Sequence, residues 1–139
     1  MREFPIGLTN TLTVPVTMEV TASRVRSGGV PTFSTPAMLG AMERCASESM
    51  APYLAEGEGS VGMSANLKHM ASTPVGMTVR VVSELVEQDR RRLVFHITAF
   101  DEKEQIGDCI HERFVIDSAK FLARAKEKQA QYVKPEAEN

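Results

Sequence analysis

Residues 35–53, TPAMLGAMERCASESMAPY, carry the longest run of helical period in the chain. Placed at 100° per residue, Met38, Leu39, Ala41, Met42, Cys45, Ala46 and Met50 form one broad apolar arc. Gly40, Arg44, Ser47 and Glu48 form the wet face. Thr35-Pro36 reads as the helix start, a hydroxyl N-cap followed by proline at the first helical position. The pattern predicts one amphipathic helix over about Pro36–Tyr53, with its apolar side packed on a sheet.

Strand signals flank that helix. Before it, Leu12, Val14, Val16, Met18 and Val20 alternate with polar residues over Thr11–Thr21, the period of a half-buried strand. Pro15 cannot donate to a ladder, which assigns this strand to a sheet edge or a bulge. After the helix come four more strands. Val61, Met63, Ala65, Leu67 and His69 share one parity; Met77, Val79, Val81 and Leu85 line the next strand. Leu93, Phe95, Ile97 and Ala99 follow the charged turn Arg90-Arg91-Arg92, and Ile106, Ile110, Phe114 and Ile116 line the last strand. A second helix is predicted from about Ser118. Consecutive strands on short turns argue an antiparallel sheet. The expected fold is α+β: about five antiparallel strands around one long helix, plus a C-terminal helix, in a single domain over 1–139 with a polar tail at 130–139.

Composition narrows the function. The 139 residues hold 16 basic and 18 acidic side chains, a formal charge of −2, which argues against nucleic acid as the partner. No apolar run reaches the roughly 20 residues of a membrane helix, and MREFPIGLTN does not read as a secretory signal. Cys45 and Cys109 lack metal-ligand spacing and disulfide-framework numbers, so a reducing cytoplasm is the expected setting. Both read as buried small hydrophobes rather than nucleophiles.

Few residues could carry chemistry. His69 lies on the apolar parity of its strand, where it is either a core histidine satisfied by one backbone hydrogen bond or a general base. Glu43 borders the helix's apolar arc, either as a boundary carboxylate reaching water or as a carboxylate at a dry cleft able to act as base, as nucleophile through an anhydride, or as orienter of a histidine. Thr35 is explained by capping, and a hydroxyl at a helix N-terminus can also serve developing negative charge. Thr35 and Glu43 are eight residues apart, about 12 Å along one helix. If both serve one site, His69 bridges them or a second subunit supplies one of them. Gly62 has the parity opposite His69 and reads as a packing glycine or a place of close ligand approach. His111 and Arg113 share a face with Cys109, opposite the apolar residues of their strand, and read as solvated or dimer-facing.

The runs TPAMLGAMERCA (35–46), MAPYLAEGEGSVGMSANLKHMASTPVGMTVRV (50–81) and IGDCIHERFVI (106–116) together resemble the fluoroacetyl-CoA thioesterase family of hot-dog proteins. The resemblance covers roughly Thr32–Phe121. It implies a hot-dog fold and a homodimer or higher homo-oligomer with active sites at the subunit interface. It also implies hydrolysis of a small acyl-CoA, with no metal and no cofactor beyond the coenzyme A of the substrate. The catalytic residues it implies are Thr35, Glu43 and His69. Gly62 would line the acyl site, Arg113 would lie near the acyl group, and Phe33 is the aromatic nearest the segment before the helix. That segment departs from the family: Arg26 and Gly29 stand where the fluoroacetyl-specific enzyme has lid phenylalanines. Cys109 stands where the family tends to have glycine. The first departure implies a broader short-chain or aryl acyl-CoA substrate in place of fluoroacetyl selectivity. Two other activities fit the same fold, hydration or dehydration of acyl thioesters and non-catalytic acyl-CoA binding.

Overall fold

The computed structural model describes residues 2–134. Five strands form one antiparallel sheet: β1 (Thr9–Pro15), β2 (Glu58–His69), β3 (Thr78–Asp89), β4 (Arg92–Phe100) and β5 (Gln105–Asp117), in the order β1-β3-β4-β5-β2. Three α-helices accompany it: the short α1 (Ala22–Val25), the long α2 (Thr35–Met50) and the C-terminal α3 (Ser118–Tyr132). The expected α+β hot-dog architecture is therefore present. Met38, Met42, Cys45, Ala46 and Met50 of α2 are fully buried against Val79, Val81, Leu85, Leu93, Phe95 and Ile97 of the sheet. Each such side chain contributes about 1.5–3 kcal/mol by leaving water, which fixes the helix against the strands. No helix among the described residues is long and apolar enough to cross a membrane.

Several expectations shift locally. The first strand stops at Pro15, which pairs only toward β3, so its missing N–H faces the free edge. Val16 still reaches the core, but Met18–Val20 form a 3₁₀ turn instead of continuing the strand. The long helix ends at Met50 and a 3₁₀ turn carries the chain to Tyr53. Its cap is Ser34, whose Oγ accepts from the Ala37 N–H at 3.1 Å. Thr35 is the first helical residue, so its hydroxyl is released from the capping role the sequence assigned to it.

The largest correction concerns β5. Cys109, His111, Arg113 and Val115 are the buried set, while Ile110 is 45% exposed. Hydrophobicity alone inverts this strand, because its inward polar groups are satisfied by partners rather than by water. An irregularity between Ala99 and Phe100 lets both Ile106 and Gly107 turn inward at its start. At the other end, Asp117 caps α3 by accepting from the Lys120 N–H. Residues 130–132 belong to that helix, and 135–139 of the expected tail lie outside the described residues.

Candidate active site

A second irregularity sets the geometry of β2. Val61 pairs with Phe114 and Gly62 with Arg113, but Ser64 already pairs with Glu112. Met63 is thus an extra residue, a β-bulge that flips the alternation. Gly62 and His69 have opposite parity in sequence yet face α2 together, Gly62 beside Arg113 and His69 beside Gly107. Val61 and Met63 leave the inner face that simple alternation gave them.

At the N-terminal end of α2, Thr35 Oγ1 and His69 Nδ1 form a 2.8 Å hydrogen bond. The backbone brings them together because Gly107, directly opposite His69, has no Cβ. One built there would collide with Met38, one turn into α2, and approach Met42 Cε at 3.2 Å. Nε2 of His69 is buried without a well-formed hydrogen-bond partner. Burial lowers the ring's pKa, and the nearby Ala71 main chain acts weakly in the opposite sense. The ring is therefore neutral near pH 7, and Nδ1, beside Thr35, is the nitrogen open to proton exchange. A cleft of about 410 Å³ opens here, lined by Ser27, Gly28, Val30, Phe33, Thr35 and His69 among others. Phe33 is 1% exposed and donates its N–H to the Thr73 carbonyl, so its ring is a fixed wall of this cleft.

Two turns further along α2 lies a separate cluster. Glu43 Oε2 is 3.9 Å from Arg113 Nη1, and a Cβ on Gly62 would come within 2.7 Å of the same carboxylate oxygen. Arg113 is buried, its Nε donating to Ser60 Oγ at 3.1 Å and its Nη2 to the Ser60 carbonyl at 3.2 Å. Its Nη1 donates to His111 Nε2 at 3.2 Å, and His111 Nδ1 donates to the Ser64 carbonyl at 2.7 Å. Burial lowers the pKa of both His111 and Arg113, and for His111 the neighbouring guanidinium lowers it further. In one chain, then, Thr35 meets His69, and Glu43 meets Gly62 and Arg113. His69 does not bridge the two groups.

Sequence reasoning missed Ser60, and the solvated alternative for His111 and Arg113 does not hold, since they are 1% and 6% exposed. The available signal was pairing: Gly62 opposite a polar strand segment marks where inward polar side chains have room. Both cysteines are buried, and burial raises their thiol pKa values, carrying Cys109 to about 11.

Comparison with known proteins matches residues 16–119 to a family model described as fluoroacetyl-CoA-specific thioesterase. The fluoroacetyl-CoA thioesterase of Streptantibioticus cattleyicolor is 44% identical over 96 residues, 69% of each chain. A solved structure of a fluoroacetyl-CoA thioesterase superposes with a TM-score of 0.86 at 34% identity, covering 91% of this chain and 98% of that one. A thioesterase-superfamily protein of Thermus thermophilus gives a TM-score of 0.88 at 29% identity, covering 95% and 98%.

Proposed function

The chain belongs to the fluoroacetyl-CoA-specific thioesterase family and hydrolyses acyl-CoA thioesters; from that premise we propose that its active site is shared between two subunits. Thr35 and His69 come from one protomer, and Glu43, Gly62 and Arg113 from the other. The observation that carries this reading is the separation of the two groups within one chain. Thr35 is bonded to His69, and Glu43 lies eight helical residues away, about 12 Å.

The edge of β2 supports the same assembly. It is a twelve-residue strand paired on one side only, an edge that invites association. The register that would join the two groups is antiparallel pairing about a dyad at Asn66, which, with the bulge counted as one position, sets His69 opposite Gly62 of the partner subunit. Both then face inward, as register demands. In that register the partner subunit's Glu43, which lies against its own Gly62, would face Thr35–His69.

The chemistry follows from these groups. Neutral His69 draws a proton through Thr35 from water, and Glu43 aligns that water. The water oxygen bonds to the thioester carbonyl carbon, and the Gly62 amide, beside the bulge, steadies the resulting oxyanion. Collapse breaks the C–S bond, and the leaving thiolate takes up the proton held by His69. Thiols are good leaving groups, with pKa near 8.5 for cysteine, so no strong acid is required. The acyl group is a short-chain or aryl one, because Arg26 and Gly29 provide no aromatic lid. Two buried free thiols fit a reducing cytoplasm.

A thiol-release assay across an acyl-CoA panel, run beside an enoyl-CoA hydration assay, tests the activity. Release without hydration is expected. Hydration without release assigns a hydratase, and binding without either assigns a carrier module.

A further inference from the structure

His111 is the one buried histidine that the proposed reaction does not use. It is 1% exposed and both ring nitrogens are engaged. A carbonyl can only accept, so Nδ1, facing Ser64, carries the proton. A guanidinium can only donate, so Nε2, facing Arg113, is bare. The ring is thereby held neutral in one tautomer.

That arrangement acts on Glu43. Arg113 Nη1 stands between two acceptors, 3.2 Å from His111 Nε2 and 3.9 Å from Glu43 Oε2. An unopposed arginine–carboxylate pair closes to about 2.7–2.9 Å. The remaining guanidinium nitrogens are tied to Ser60. We infer that His111 is a positioning residue that holds Arg113 Nη1 off Glu43, leaving the carboxylate free to face the reacting centre. The inference rests on the role of Glu43 proposed above.

The surroundings leave His111 as the group that sets this spacing. Its neighbour on β4 is Phe95 and on β2 is Ala65, neither charged. Glu43 of α2 and Arg113 of its own strand are the charged groups on its inner side, and Glu112 lies on the opposite face of β5. Gly62 also fits the scheme, since a Cβ there would lie 3.1 Å from His111 Cε1 and displace the ring.

Two variants separate positioning from packing. His111→Asn keeps a donor for the Ser64 carbonyl but cannot reach Arg113. His111→Gln places a carbonyl acceptor where Nε2 stood. The inference predicts that Asn lowers kcat about 10- to 100-fold with KM nearly unchanged, the scale of a misplaced reacting group. Gln should restore most of that loss, and a crystal structure of the Asn variant should show Arg113 closed onto Glu43. Equal activities for Asn and Gln, or an Asn variant with the wide spacing retained, would overturn it. If Glu43→Gln in the wild-type background remains active, the site assignment fails instead, so the two failures are distinguishable.

Discussion

Gly62 and His69 face the same side of β2 although seven positions separate them, because Met63 adds one residue to the strand. At the same spacing without that bulge, one of the two would point away from α2. Deleting Met63 alone leaves six positions between them, an even spacing that keeps both inward in a regular strand, so that variant and Met63→Ala should be tolerated; deleting Met63 and Ser64 together leaves five and should cost about 100-fold or more in kcat/KM. Steady-state kinetics of all three variants check this. A double deletion with full activity would mean that the alternation of β2 does not set the site.

The Thr35–His69 bond makes a second prediction. His69→Ala should lower kcat by about 10²–10⁴-fold, the usual span for a lost general base. Thr35→Ser keeps the hydroxyl and should retain most activity, while Thr35→Val should approach the His69→Ala value. Equal activity for the Ser and Val variants would remove the hydroxyl from the mechanism.

Lowered histidine pKa values set the pH dependence. Burial shifts His69 and His111 below the ordinary value of about 6.5. Below 6.5 the unfolded chain binds these protons before the folded one does, so stability rises with pH across that window. It falls as pH drops from 6.5 through the folded values, at no more than about 1.4 kcal/mol per pH unit for each ring. Activity should decline on the same acidic side as His69 is protonated. Denaturant melts and kcat/KM from pH 4 to 8 test both. Stability that increases on acidification through this window would contradict the assignment.

Specificity follows from the loop over the cleft. Arg26 takes a left-handed conformation at the end of α1, and Gly28 and Val30 line the opening. None of these closes an aromatic surface over a two-carbon acyl group. Each additional methylene buried contributes about 0.8 kcal/mol, so two or three should raise kcat/KM about tenfold or more if the contact persists in the transition state. Butyryl- or aryl-acyl-CoA should thus be hydrolysed faster than acetyl-CoA, with no strong preference for fluoroacetyl-CoA. A fluoroacetyl preference of several orders of magnitude would sink this argument.

The helix and the central strands were legible in the sequence because their burial follows hydrophobic period. Met38, Met42, Cys45, Leu93, Phe95 and Ile97 are all buried where period places them. Two strands were misread where burial depends on partners instead. His111 and Arg113 bury because Ser64, Ser60 and one another satisfy them, a long-range fact that no local period encodes. Met63 is similar: a bulge is visible only in the register with β5. Thr35 was read as the cap because it precedes proline, but Ser34 caps the helix one residue earlier. The 12 Å separation of Thr35 and Glu43, by contrast, follows from helix geometry alone, and it is what points to a shared site.

The most direct test of that sharing is complementation between two inactive subunits. His69→Ala and Glu43→Gln are prepared with different affinity tags, co-expressed, and purified as the mixed dimer. In a shared site, the mixed dimer holds one doubly altered site and one intact site, so it should recover about half of the wild-type activity per dimer. Each parent homodimer should remain inactive. A mixed dimer as inactive as its parents would show that His69 and Glu43 act within one subunit, and would contradict the account.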